Sequence, residues 1–235
     1  MHESVGRQSV YSLDDVYERL PTDVEQLRRR IDNLRLKSWN IWCPAETPSL
    51  IDELGKERRC TVVDVGALPP PQNSIIATAV LGHFWRNRDR KQPVLIVVDE
   101  AHRVCPQSPL SAFEALSTEL AIRIAGEGRK FGIYLLLATQ RPDKVHPNVV
   151  SQCDNLVLMR MNSGRDLNYI AETFSQVPLP LLSQSPSFSQ GEALVAGKIV
   201  SDVVFVKFEG RLTPEGGGDV PTVWAAQGYP GESDR

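Results

Sequence analysis

The sequence predicts an α/β fold, a mainly parallel sheet flanked by helices, and three observations carry the prediction. The first is the run Val94–Val98, five consecutive apolar and mostly β-branched residues, the composition of a strand buried on both faces of a parallel sheet. A second run of the same kind is Ile133–Ala138. The third observation is that helix-period stretches lie before and between these runs, so that strand, helix and strand alternate as in sheets built from crossover units. Two carboxylates, Asp99 and Glu100, directly follow the first run. In open α/β sheets ligands sit just beyond the carboxyl ends of the strands, so chemistry is expected there.

Taken in order, residues from about Ser12 to Lys37 read as two helices separated by Pro21, with capping boxes at Ser12/Asp15 and Thr22/Glu25. In the second of them Val24, Leu27, Ile31 and Leu34 share one face, and Arg28, Arg29, Arg30 and Arg35 lie on or beside the other. Such an Arg run is ordinarily a solvated helix face, although phosphate contact is the other use of that chemistry. Trp39–Pro48 is loop-like and Ser49–Leu54 a short helix. Thr61–Val65 is expected to form a strand ended by Gly66 and the prolines Pro69–Pro71, and Ser74–Trp85 a helix feeding the central strand. After the carboxylates, Ser108 to about Gly126 is helical by its Leu110, Phe113, Leu116, Leu120 pattern. Asn155–Met161 followed by a helix over Arg165–Phe174 completes another unit. Val177–Gln190, rich in Pro, Ser and Gln, reads as surface loop. Gly191–Ala196 and Asp202–Phe208 form two strands joined by a hairpin around Gly197 and Lys198, and the glycine- and proline-rich residues from Thr213 on read as a tail.

Composition narrows the class. At 235 residues, with 41% hydrophobic and 23% charged residues, the chain has the material for a globular core. A net charge of −3 gives no global attraction to nucleic acid or anionic membrane, so any DNA contact must be a local patch. Cys43, Cys60, Cys105 and Cys153 are scattered without metal-type spacing and read as reduced, mostly buried thiols of a cytoplasmic protein. No apolar run approaches bilayer length, so no membrane partner is expected. His83, His102 and His146 share no ligand spacing and read as packing or surface residues.

Three motifs carry the chemistry. Asp99-Glu100 ends the central strand, Gly128-Arg129-Lys130 precedes the next one, and Thr139-Gln140-Arg141-Pro142 follows it. By themselves they have plain alternatives: acids at a helix N-terminus, cations at a helix C-terminus, a strand-capping Gln and a solvated Arg. The tetrapeptide Asp99-Glu100-Ala101-His102 also matches the name-giving motif of DEAH-box helicases. Those helicases carry a Ser-Ala-Thr motif after that strand and a second Gln/Arg-rich domain, and ABC-type ATPases carry a Ser-Gly-Gly-Gln signature, none of which occurs in these residues. In this order and arrangement the motifs closely resemble the carboxyl-terminal half of the HerA/FtsK superfamily of ring-forming DNA-pumping ATPases, and within it the HerA-type bacterial ATP-binding proteins. The resemblance runs from about Trp39 to Trp224 and includes the ending Arg211-Leu-Thr-Pro-Glu-Gly-Gly-Gly-Asp-Val-Pro-Thr222.

The resemblance implies a partial RecA-like domain and a role for each motif residue. Asp99 would hold Mg2+ through its water shell, and Glu100, as in a Walker B element, would orient water for attack on the γ-phosphate. Gln140 would sense that phosphate, with Lys130 and Arg141 as nucleotide-binding cations. Arg129, eleven positions before Gln140, would be the arginine finger reaching a neighbouring subunit's site. It implies three stretches: 1–38 as the end of an inserted helical region, 39–212 as the carboxyl-terminal part of the ATPase domain, and 213–235 as a flexible tail. It also implies a homo- or hetero-oligomeric ring, a hexamer, with double-stranded DNA and a nuclease among the expected partners.

One part of the pattern departs from that family. A phosphate-cradling Gly-x-x-x-x-Gly-Lys-Ser/Thr does not occur in the 235 residues; Gly197-Lys198 has Gly191 one residue too far upstream and Ile199 after it. In the family this loop and its strand lie upstream, the strand running beside Ile133–Leu137. ATP and Mg2+ are therefore expected only with a Walker A polypeptide supplied by another segment. Two functions from different classes remain: half of a DNA-translocating ATPase, or a non-catalytic subunit that joins a ring and contributes only Arg129.

Overall fold

A computed structural model of the chain describes residues 13–21, 24–42, 48–54, 59–210 and 212–213. It divides into two units, one made of 1–154 with 163–175 and the other of 155–162 with 176–235. The first contains α1 (Leu13–Arg19), α2 (Glu25–Asn33), α3 (Leu50–Leu54), α4 (Pro70–Arg86), β1 (Val94–Val98), α5 (Ala101–Val104), α6 (Ala112–Glu127), β2 (Ile133–Leu137), α7 (Pro147–Val150) and α8 (Gly164–Thr173). The second contains β3 (Asn155–Leu158), α9 (Leu179–Leu182), β4 (Glu192–Gly197) and β5 (Val204–Lys207).

In the first unit β1 and β2 pair in parallel, from Val94 opposite Ile133 to Val98 opposite Leu137, as the alternating pattern predicts. The crossover between them is α6, and α4 packs along α6. Local sequence explains both helices. Pro70 at the first position of α4 has the φ a helix start needs and no N–H to waste. At α6 the Ser111 hydroxyl accepts the Glu114 N–H at 3.2 Å while the Glu114 carboxylate accepts the Leu110 N–H at 2.6 Å, a reciprocal cap. Leu81, Ala121, Ile124, Ile96 and Ile133 are buried and form the core of these elements.

The strands are covered on one face rather than two. Ile96 and Ile133 point inward, whereas Leu95 and Val97 are 57% and 61% exposed and their register partners Tyr134 and Leu136 are 49% and 46% exposed. The unbroken apolar runs encode burial on both faces, but the described residues cover only one of them. Among those residues β2 pairs with β1 alone. The expected strand over Thr61–Val65 is absent. Those residues are extended but unpaired, with Val62 84% exposed; a β-branched run becomes a strand only where a neighbour completes its hydrogen-bond ladder.

The strand expected at Asn155–Met161 ends at Leu158 and joins an antiparallel sheet of order β3-β4-β5 instead of the parallel one. Its alternation explains this: Leu156 and Leu158 are buried while Asn155 and Val157 are exposed, the one-sided burial typical of antiparallel sheets. The β4–β5 hairpin is the expected one, and the Asn155 side chain accepts the Ile199 N–H at 2.9 Å beside its turn. The stretch read as surface loop is partly structured. Buried Ser185 donates to Met159 O at 2.9 Å and accepts the Met161 N–H at 2.8 Å, tying that segment to the end of β3.

At the amino-terminal end, Pro21 does separate two helices. Arg28 is drawn into the structure, donating to Leu20 O at 2.7 Å and lying over the Tyr17 ring, while Arg29 pairs with Glu25 on the exposed side. Of the predicted apolar face only Ile31 is buried; Leu27 and Leu34 are exposed. The expected caps Ser12 and Thr22, Arg211 and the tail from 214 on lie outside the described residues.

One glycine is required for close packing. A Cβ at Gly128 would sit 2.6 Å from Ile133 O and 3.1 Å from Ile124 Cγ2. Gly128→Ala should therefore destabilise the fold by about 1 to 3 kcal/mol, seen as a melting temperature lower by several degrees. An unchanged melting curve would show that the turn yields without cost.

Candidate functional site

The site is built where β1 and β2 end together. Ala138 N–H donates to Val98 O and Ala101 N–H to Ala138 O, each at 2.9 Å, so the parallel ladder continues past both strands. This fastens the turn 99–101 to the turn 138–141. Three of the sequence motif positions, Asp99, Glu100 and Gln140, are thereby brought to one end of the sheet, with Arg141 next to them.

Asp99 is exposed at the strand tip and its Oδ1 accepts the Glu100 N–H at 2.9 Å. Glu100 itself takes the left-handed conformation, φ 49° and ψ 49°, which costs an L-residue of this kind about 1 to 3 kcal/mol. The distortion turns the chain from β1 into α5 within one residue. The Glu100 carboxylate lies 3.1 Å from His102 Nδ1, and that same nitrogen lies 3.2 Å from Thr139 Oγ1. Thr139 Oγ1 in turn accepts the Arg141 N–H at 3.0 Å. Gln140 and Arg141 are exposed.

Arg129 and Lys130 lie elsewhere. They are exposed in the 3-10 turn Gly128–Phe131, which Gly132 closes at φ +80° before β2 begins. The whole of β2 separates them from Gln140, about 16 Å at ~3.3 Å per residue. The end that carries Asp99 and Glu100 and the end that carries Arg129 thus face opposite ways.

His102 and Thr139 are the site residues that sequence reading passes over. His102 was set aside as a packing or surface residue, yet it is the one side chain that touches both turns. The available signal was its place two residues after Glu100 across a strand-to-helix turn. Thr139 stands directly before Gln140, where its hydroxyl can cap the turn.

No cluster of three or more His, Cys, Asp and Glu side chains able to hold a metal occurs among the described residues. A lone exposed carboxylate fits Mg2+, which keeps most of its waters and takes further oxygens from phosphates. The residues present do not fit the phosphate groups of a nucleotide in the same way, since no glycine-rich loop stands beside them. The cysteines contribute no nucleophile at this site. Burial pushes the Cys105 thiol up to about 12 and raises that of Cys153; Cys60 is exposed, and Cys43 lies outside the described residues. No described helix is long and apolar enough to cross a membrane.

No family model matches the chain. Among curated proteins it is similar to the DNA double-strand break repair helicase HerA of Sulfurisphaera tokodaii, 35% identical over 125 residues, 52% of this chain and 24% of that protein. HerA of Saccharolobus solfataricus is 35% identical over 130 residues, 54% of this chain and 25% of that protein. HerA of Pyrococcus furiosus is 32% identical over 108 residues, 46% and 19% respectively. The chain spans about a quarter or less of the length of these relatives. Among solved structures it is similar to VirB4 of Thermoanaerobacter pseudethanolicus, with a TM-score of 0.48 and 16% identity over 63% of this chain and 40% of that one. It is also similar to B204, the DNA-packaging ATPase of Sulfolobus turreted icosahedral virus, with a TM-score of 0.45 and 17% identity over 62% and 64%. Over about half of its length, therefore, the chain is a homologue of the HerA helicases.

Proposed function

We propose that the chain is the carboxyl-terminal part of a RecA-like ATPase domain of the HerA type, and that it works with a phosphate-binding loop carried on another segment to drive movement of double-stranded DNA. The observation that carries this reading is the fastening of Asp99-Glu100 to Thr139-Gln140-Arg141 by the ladder between β1 and β2. Acid, base-like carboxylate and amide sensor have to share one end of a sheet if they serve one phosphate.

Asp99 would bind the water shell of Mg2+, and the bound ion would supply charge neutralisation for the phosphates. Glu100 would accept a hydrogen bond from the attacking water and set its direction. The Gln140 amide would donate to the γ-phosphate, and Arg141 would add positive charge beside it. Arg129 and Lys130 face away from this chain's own carboxylates, which supports service to a neighbouring subunit's site in a ring. The planar fork of Arg129 suits a charge spread over phosphoryl oxygens. A nuclease partner belongs to the same reading.

The test is reconstitution. The chain is mixed with the upstream part of a HerA relative that carries Gly-x-x-x-x-Gly-Lys-Ser/Thr, and DNA-stimulated ATP hydrolysis is measured. The expected result is hydrolysis by the mixture and by neither part, with no micromolar Mg-ATP binding by the chain alone in calorimetry. Assembly without hydrolysis would favour a ring subunit that contributes Arg129 only, and micromolar binding by the isolated chain would overturn the need for a second segment.

A further inference from the structure

We propose that His102 is a positioning residue that selects, with a single proton, whether Glu100 is held by the imidazole or released from it, according to the state of the Thr139–Arg141 turn. The proposal deepens the reading of this site as an ATPase centre and rests on it for its functional meaning. The geometry stands apart from that reading. One nitrogen, His102 Nδ1, lies within hydrogen-bond reach of two groups, Glu100 Oε2 at 3.1 Å and Thr139 Oγ1 at 3.2 Å. A ring nitrogen of neutral histidine either carries a proton or offers a lone pair.

With the proton on Nδ1, the imidazole donates to the Glu100 carboxylate, and the Thr139 hydroxyl must direct its own proton elsewhere. With the proton on Nε2, the Thr139 O–H donates to Nδ1, and the Glu100 carboxylate faces a lone pair and is turned away. The two arrangements exclude each other. They differ only in the place of one proton on the ring, so no net charge is gained or lost. His102 also lines a cavity of about 360 Å3, wide enough for water to carry the proton between the ring nitrogens.

Both ends of the device are anchored. Glu100 has its backbone committed to the left-handed region, so its side-chain torsions and the His102 bond decide where its carboxylate points. Thr139 is held through the Arg141 N–H, and Gln140 lies between those two residues. A ligand that draws on Gln140 displaces the Thr139 hydroxyl, and the hydroxyl's shift changes which proton arrangement His102 prefers. His102 thus couples what Gln140 senses to the freedom of Glu100.

The experiment reads the imidazole proton directly. Nitrogen–proton correlation spectra of the full chain, recorded at about pH 8, assign the His102 tautomer in wild type, Thr139→Val and Glu100→Ala. We expect the Nδ1–H form in wild type and in Thr139→Val, and a change to the Nε2–H form in Glu100→Ala. The Nε2–H form in all three, or a tautomer indifferent to Glu100→Ala, overturns the proposal. This arm needs no hydrolysis, so it is decided even where the ATPase reading fails. In an assembly that does hydrolyse ATP, His102→Ala should lower kcat by roughly ten- to a hundredfold through misplacement of Glu100 and leave KM for ATP within about twofold. His102→Asn, which keeps a donor near the Nδ1 position, should recover most of the loss. A rise in KM with kcat unchanged would show that His102 serves binding, against the proposal.

Discussion

Replacing Arg129 with alanine is expected to slow ATP turnover of the reconstituted assembly by roughly 10^3- to 10^5-fold, the usual worth of an arginine finger. Nucleotide affinity should change little, because a group that meets the phosphate only as charge develops contributes to the transition state and not to the ground state. The folded chain should tolerate the change, since Arg129 is exposed and its 3-10 turn is held by Gly128 and Gly132. Mixing decides whether the residue acts across subunits. Neither Arg129→Ala nor Glu100→Gln subunits turn over alone, but a mixture of the two should regain hydrolysis. Interfaces then form at which an intact Glu100 meets an intact Arg129 from the neighbour. If Arg129 served its own subunit's carboxylate, no such interface would exist and the mixture would stay inactive. That second outcome would also require a route from Arg129 around the length of β2.

The second large effect belongs to Glu100. Glu100→Gln keeps the side chain's length and an oxygen for the His102 N–H, and it removes the charge that orients and polarises water. The expected loss is about 10^2 to 10^4 in kcat with ATP and DNA still bound. Equilibrium denaturation should place the variant within about 0.5 kcal/mol of wild type, as is usual for a change outside the core. Hydrolysis within a factor of two of wild type would remove Glu100 from the reaction and leave the chain as a ring subunit only.

Much of the parallel half of the fold is legible in single residues. Val94–Val98 and Ile133–Leu137 announce themselves because apolar β-branched runs bounded by Pro93 and Gly132 have few other uses. Pro70 and Ser111 mark where α4 and α6 start. What is not legible depends on neighbours that sequence does not name. Thr61–Val65 has the composition of a strand and lacks a partner among the described residues. Asn155–Leu158 has the same look, but its side-to-side alternation outweighs its place after a crossover, and it pairs antiparallel with β4. The site shows the same division. Asp99, Glu100 and Gln140 are visible as motif letters, whereas the role of His102 exists only once two turns distant in sequence are laid together. No spacing rule predicts that juxtaposition; the register of β1 against β2 creates it.

That register also bears on the order in which the chain folds. Every pair between β1 and β2 closes a loop that contains the whole of α6, and contacts of such wide sequence separation cost chain entropy before they return any stability. The local elements, α6 with its reciprocal Ser111–Glu114 cap among them, can form early. The strands cannot pair until the helix has packed and brought their ends within reach. Asp99, Glu100, His102 and Thr139 sit past the last rung of that ladder, so they come together only after every rung is made. The site is then among the last features of its unit to form and the first to be lost on local opening, and amide exchange at 99–102 and 138–141 would track the integrity of the whole crossover.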